Sequence, residues 1–306
     1  MTDYLILLAG IAAAGIGGEL FVRGAVGLAK WARIPAGIIG ATIAAFATSS
    51  PELAVSISAS LEGKPQIALG DALGSNVVNI ALILGIALVI SGIKTPRDSI
   101  KRDFPVAILA PFLTAILALD GEISRIDGVI MLAVFAAWLI ATVFEVRKQR
   151  SAAQEILGEK RQWSAIVAII FGLGALILAG QLVVTGAKGI ALSFGLEEFV
   201  IGATVVAIGT SAPELATVVI SKLRGHDEVG LGTILGSNIF NNFWIVSLAA
   251  LVTPISHLPL REVAVGLGFG AITVALTFPI NGFIRRRRGV LLLILYAAYV
   301  LTILQQ

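Results

Sequence analysis

Apolar residues run along this chain in long blocks, interrupted by short clusters of charge, proline and glycine. The blocks fall at 4–22, 35–60, 66–92, 104–120, 127–146, 163–183, 197–221, 228–252, 262–280 and 289–304. About 20 apolar residues in a helix cross a hydrocarbon core of roughly 30 Å. The pattern therefore predicts an all-α integral membrane protein with ten transmembrane helices. Two polar stretches break it: "ATSSPEL" at 47–53 in the second block and "GTSAPEL" at 209–215 in the seventh.

These stretches are parts of a longer copy. Shifted by 162 positions, residues 40–80 overlay 202–242 without a gap, and 19 of the 41 positions are identical. The matches include Gly40/Gly202, Pro51/Pro213, Glu52/Glu214, Gly74/Gly236, Ser75/Ser237, Asn76/Asn238 and Asn79/Asn241. Shared greasiness pairs Leu with Leu; it does not bring Pro, Glu, Ser and Asn into register. The overlay extends back to 18–29 against 180–191 and, at a shift of 161, forward to 128–138 against 289–299. The unit is five helices. An odd number sends the second copy into the membrane from the opposite side, giving an inverted-topology repeat of the kind common in secondary transporters. The expected division is a first repeat at 1–146, a linker at 147–162 and a second, inverted repeat at 163–306, together one membrane domain.

Composition agrees. The chain is 57% hydrophobic and 13% charged, where a soluble domain carries about 25% charged residues. Its net charge of +3 bears on orientation rather than on nucleic acid. Placing Lys and Arg on alternate sides puts seventeen on one side and four (Lys64, Arg125, Lys188, Arg261) on the other, with Arg23 left in or near a span. The positive-inside rule makes the richer side cytoplasmic. That predicts a multi-pass protein of the cell (cytoplasmic) membrane with both termini extracellular. The run of arginines at 285–288 falls on the same side and reads as an orienting anchor. The N-terminus lacks the charged region of a signal peptide, so it reads as the first span. With no cysteine, disulfides and thiolate metal sites are excluded.

A carboxylate at mid-membrane costs several kcal/mol unless it is paired, protonated or facing water or an ion. No Lys or Arg stands near Glu52 or Glu214 in the second, third, seventh or eighth block, so a mobile cation is the simplest counter-charge. Thr48 and Glu52 are four apart and share a helix face, with Ser49 beside them; Ser75 and Asn79, and Ser237 and Asn241, repeat that spacing. Pro51 and Pro213 cannot donate to the carbonyls of Ala47 and Gly209, which predicts broken helices near the midplane with freed carbonyls. "GSN" predicts a second break, with Ser and Asn capping a restarted half-helix. Carboxylates, amides, hydroxyls and carbonyls form an all-oxygen set, suited to hard cations such as Ca²⁺ and Na⁺.

Paired "G-T-S-x-P-E" and "G-S-N-x-x-[ND]" blocks in two inverted repeats resemble the Ca²⁺/cation antiporter superfamily, specifically its prokaryotic Na⁺/Ca²⁺ exchanger branch. The resemblance implies exchange of Ca²⁺ for Na⁺ by alternating access, usually removing Ca²⁺ from the cytoplasm. It implies two long, tilted helices, the first and sixth spans, sliding over a static core. By motif it implies cation ligands Glu52, Thr48, Ser49, Ser75 and Asn79 from the first half. From the second half it implies Glu214, Thr210, Ser211, Ser237 and Asn241, with carbonyls of Ala45 and Ala207 contributing. Two positions depart from the usual pattern: Asn241 stands where many relatives have Asp, and Ala47 where they have Gly. Two carboxylates match one Ca²⁺ or two Na⁺, so a three-to-one stoichiometry does not follow. The lipid bilayer and the transported ions are the expected partners, with no cofactor, no nucleic acid and a functional monomer.

H⁺ in place of Na⁺ is the main rival on the same fold. A channel fits a symmetric site within one chain less well, and an enzyme lacks a His or Lys base at the motifs. Outside the motifs, Glu19 and Arg23 are placed to pair locally, and Asp71, opposite Thr233 in the copy, is placed to guide cations or protons. His226 and His257 read as solvated loop residues.

Overall fold

The structure is a computed structural model describing residues 2–32, 34–61, 63, 65–152, 162–193 and 207–304. In chain order its elements are α1 (Thr2–Ala32), α2 (Ala36–Ile39), a π-helical turn π1 (Gly40–Ala44), α3 (Ala45–Thr48), α4 (Ser50–Leu61), α5 (Pro65–Val77), π2 (Val78–Leu84), α6 (Gly85–Ile90) and β1 (Ile93–Lys94). Then follow α7 (Arg97–Leu117), α8 (Arg125–Ala152), α9 (Gln162–Ser193), α10 (Ala207–Thr210), α11 (Ala212–Leu223), α12 (Asp227–Ile239), π3 (Phe240–Ile245), α13 (Val246–Val252), α14 (Leu260–Thr277), β2 (Phe283–Ile284) and α15 (Arg286–Leu304).

Among the described residues, five stretches are long and apolar enough to cross a membrane: Asp3–Ala32, Ala68–Ile90, Arg125–Val146, Asp227–Val252 and Leu260–Thr277. The bent pair Ala36–Thr48 and Ser50–Leu61 makes a sixth if taken as one span. The apolar blocks at 104–120 and 289–304 fall short by this measure for a visible reason. The helices that hold them begin in charge, with Arg97, Asp98, Lys101, Arg102 and Asp103 in α7 and Arg286 to Arg288 in α15. One two-residue ladder departs from the all-helical expectation. Ile93 pairs with Ile284 and Lys94 with Phe283, tying the loop after α6 to the loop before α15. Both loops lie outside the apolar blocks, where free backbone groups find each other.

The block at 4–22 predicted too short a helix. At 31 and 32 residues, α1 and α9 rise by about 1.5 Å per residue, to roughly 46–48 Å. That exceeds a core of about 30 Å, so such helices cross obliquely. Polarity did not end α1 at Arg23, because Arg23 pairs with Glu19 one turn earlier. The two helices run against each other with backbones nearly touching: a Cβ on Gly172 would lie 2.5 Å from the Phe21 nitrogen.

A second close crossing positions the polar motifs. A Cβ on Gly236 of α12 would stand 2.3 Å from the Ala41 carbonyl oxygen in π1, and one on Gly40 would stand 2.5 Å from that of Val229. Packing thus accounts for both glycines. Gly74 meets only the Tyr299 hydroxyl, at 3.6 Å, and Gly202 lies outside the described residues.

Away from the motifs, Arg102 forks onto Asp103 at 2.7 and 2.8 Å and reaches Glu145 at 2.7 Å, while the Trp138 indole N–H donates to Asp103 at 3.2 Å. Asp103 is fully buried, so removing its cation leaves a stranded charge. Arg102→Leu is expected to cost about 3–5 kcal/mol. The check is the unfolding midpoint of the purified protein; Arg102→Lys recovers only part, because an ammonium cannot reproduce the fork.

Candidate cation-binding site

The helix predicted to break at each "TSxPE" does break. Ser49 (φ −84°, ψ 10°) separates α3 from α4, and Ser211 (φ −84°, ψ 8°) separates α10 from α11. Pro51 and Pro213 lack an N–H for the preceding turn, so the chain bends there, by 43° in the first copy. The carbonyl freed at Ala47 is not left open, however: the Ser50 hydroxyl donates to it at 2.8 Å. The Ala45 carbonyl accepts the Ser49 N–H at 2.9 Å and, weakly, the Thr48 hydroxyl at 3.4 Å. Ala207 opens α10 at the edge of the described residues.

The predicted restart at "GSN" does not occur. Ser75 and Asn76 lie inside α5, and Ser237 and Asn238 inside α12. A π-helical segment follows each, π2 from Val78 and π3 from Phe240, so Asn79 and Asn241 are the second residue of each wide turn. Such turns are frequent at functional sites. They displace the side chains without ending the helix, which capping logic did not anticipate.

The structure brings most of the predicted residues into buried positions. Thr48, Ser49, Glu52, Ser75, Asn79, Ser211, Glu214, Ser237 and Asn241 are at most 2% exposed, and Thr210 is 8% exposed. Contacts link the two copies. Glu214 Oε1 accepts from the Ser49 hydroxyl of the first half and the Ser237 hydroxyl of the second, each at 3.2 Å. Thr48 donates its hydroxyl to the carbonyl of Ala44, at 3.0 Å, leaving lone pairs available. Glu52 differs. Among the described residues neither of its carboxylate oxygens accepts a hydrogen bond of normal geometry; the Ser75 hydroxyl is a neighbour that does not reach bonding geometry, and the Ser211 hydroxyl has no partner either. No ion pair among the described residues reaches Glu52 or Glu214.

The amides are held in a crossed arrangement. Asn79 Nδ2 donates to Asn238 Oδ1 at 3.2 Å, and Asn241 Nδ2 donates to Asn76 Oδ1 at 3.1 Å. Asn238 Nδ2 reaches the Asn76 carbonyl, Asn242 Nδ2 the Asn238 carbonyl, and the Thr114 hydroxyl reaches Asn242 Oδ1. With both NH₂ groups engaged, Oδ1 of Asn79 and Oδ1 of Asn241 stay buried and without a donor. Buried acceptors without donors are costly in apolar surroundings. Here several of them carry the two carboxylates and two amides of one motif set. Among the described residues no three His, Asp or Glu side chains gather as a metal cluster, so a cation here would depend on amides, hydroxyls and carbonyls beside the carboxylates.

Asn76, Asn238 and Asn242 were not among the predicted site residues. The signal was present for the first two, which match each other at the shift of 162. Asp71 lies in α5 one turn before Ser75, with Oδ2 buried and unpartnered. Its counterpart Thr233 donates to the Val229 carbonyl at 2.9 Å. Glu19 holds Arg23 as expected and also accepts from Arg224 at 2.8 Å. His257 is exposed, and His226 faces Glu228 at 3.7 Å.

A family profile described as "Sodium/calcium exchanger protein" matches residues 2–144 and 164–305. The chain is 37% identical to "Putative antiporter CaxA" of Alkalimonas amylolytica over 77% of this chain and 76% of that protein. It is 29% identical to "Sodium/calcium exchanger MaX1" of Methanosarcina acetivorans over 98% of both. A solved structure of the sodium-calcium exchanger NCX_Mj, soaked with Na⁺ and Sr²⁺, superimposes with a TM-score of 0.84 at 31% identity, covering 98% of each chain.

Proposed function

Because the chain belongs to the sodium/calcium exchanger protein family and is thereby a Ca²⁺/cation antiporter, we propose that it exchanges Ca²⁺ for Na⁺ by alternating access and extrudes Ca²⁺. The observation that carries this reading is Glu52: a fully buried carboxylate with no hydrogen bond of normal geometry and no ion pair among the described residues. It belongs to the same motif set as Glu214 and two amides whose oxygens lack donors. A desolvated cation supplies the missing partner for all of these oxygens at once.

In this reading the cation is held by Glu52, Glu214, Asn79, Asn241, Thr48, Ser49, Thr210, Ser211, Ser75 and Ser237, with carbonyls of Ala45 and Ala207. Hard oxygen donors of mixed charge suit both ions: Ca²⁺ takes six to eight oxygens, and Na⁺ uses the same neutral donors. The unengaged Ser75 and Ser211 hydroxyls favour Na⁺ over H⁺, since protons need carboxylates and not a coordination shell. The architecture we propose is ten spans in two inverted repeats, 1–146 and 163–306, joined by the linker 147–162, with both termini outside the cell membrane and a monomer as the working unit. The break of the profile match between 144 and 164 and the crossed contacts between the two copies support that division. Exchange needs no covalent chemistry; opposite faces open in turn as α1 and α9 shift over the remaining helices.

The test is radiolabelled Ca²⁺ uptake into proteoliposomes loaded with Na⁺, with K⁺, or at a different internal pH. Uptake driven by an outward Na⁺ gradient is expected. Uptake driven by a proton gradient and indifferent to Na⁺ would replace Na⁺ with H⁺ as the coupling ion.

A further inference from the structure

A cavity of about 270 Å³, lined by neither Glu52 nor Glu214, lies between α1 and the residues that follow α11. Its lining is uneven in charge. Arg23, Lys30 and Arg224 share the lining with one carboxylate, Glu19, and with His226, Val22, Val26 and Gly27. Two i, i+4 rows of α1 build this wall, 19–23–27 and 22–26–30, so cationic and apolar side chains stand together on it. Glu19 is already shared: Arg23 holds Oε1, and Arg224 forks across both carboxylate oxygens at 2.8 Å. Lys30 has no ion-pair partner among the described residues. Three cations against one carboxylate leave a surplus for an anion.

We propose that this cavity binds a phosphate group, presented by an anionic phospholipid headgroup or free in solution. Guanidinium forks match the tetrahedral oxygens of phosphate as well as they match a carboxylate. The volume is near the lower end of the roughly 300–1,000 Å³ of ligand pockets, enough for a phosphate-bearing headgroup. The Lys and Arg asymmetry puts this end of α1 on the cytoplasmic side, where basic pockets between transmembrane helices meet anionic headgroups. Glu19 is the built-in competitor: a phosphate that takes Arg224 frees Glu19 and loosens the tie between α1 and α11.

The test needs no transport assay. Binding of short-chain phosphatidylglycerol to the purified full-length protein in neutral detergent is compared with that of short-chain phosphatidylcholine and inorganic phosphate. Phosphatidylglycerol is expected to bind and phosphatidylcholine is not. The double variant Arg23→Gln/Lys30→Gln weakens binding about thirtyfold, and Arg23→Lys/Lys30→Arg restores it. Glu19→Gln tightens binding, a gain that misfolding cannot imitate. Displacement of the lipid by inorganic phosphate identifies the free anion as a ligand; lipid binding that phosphate does not displace assigns the site to the headgroup. Equal phosphatidylglycerol affinity in the wild type, the double variant and Glu19→Gln would overturn the proposal.

Discussion

Glu52→Gln is expected to lower Ca²⁺ flux in proteoliposomes by at least about 100-fold while raising the melting temperature of the cation-free protein. The two effects share one cause. Glu52 is fully buried and accepts no hydrogen bond of normal geometry from the described residues, so without a cation its charge opposes folding. Removing that charge relieves the penalty, and it also removes half of the formal charge of the proposed Ca²⁺ site. Breaking a buried ion pair by deleting one member costs about 3–5 kcal/mol, more than two orders of magnitude in binding. Glu214→Gln should lose flux to a similar extent but gain less stability, because Ser49 and Ser237 already donate to its Oε1. Flux and thermal unfolding with and without Ca²⁺ separate these cases. Undiminished Ca²⁺ transport in either variant would reject the proposed site.

The candidate residues of the proposed site were legible before any coordinates, and the reason is duplication. A lone Glu in a greasy helix is ambiguous, whereas Glu52 and Glu214 in register with Pro51 and Pro213 are not. Helix breaks were legible too, since a missing N–H has a fixed consequence one turn back. What stayed hidden depends on competition between groups that pattern does not rank. The Ala47 carbonyl is taken by Ser50, a side chain absent from the second copy, where Ala212 stands. The "GSN" segments remain helical because their next turns widen into π2 and π3 rather than stopping. Length was also misjudged. Hydropathy ends α1 where Arg23 appears, but an arginine paired at i−4 does not end a helix. The orientation of an amide is hidden for a further reason, because composition carries no information about which end of Asn79 faces inward.

That orientation leads to the second large effect. Asn238→Leu is expected to raise the apparent KM for Ca²⁺ about tenfold while leaving the maximal rate within about twofold. Asn238 is a positioning residue: its Oδ1 accepts from Asn79 Nδ2, and its Nδ2 donates to the Asn76 carbonyl. Without that acceptor the Asn79 amide is free to turn, and its oxygen is no longer held in the orientation the proposed site requires. An unsatisfied buried donor costs about 1–3 kcal/mol, which brackets a tenfold loss of affinity. Around it the structure has little slack. A cavity of about 10 Å³ lined by Asn76, Asn238 and Asn242 has room for about one water, so a water can only partly replace the lost acceptor. Asn238→Asp keeps an oxygen for Asn79 and should recover most of the affinity, which a purely packing role for Asn238 would not produce. Because Asn76 supports Asn241 through the corresponding bond of the other copy, at 3.1 Å, Asn76→Leu should shift KM in the same direction. The double variant should exceed either single change, since two amide oxygens would then be unfixed. If both leucine variants instead lowered the maximal rate at unchanged KM, the crossed amides would govern the movement between faces rather than the grip on the ion.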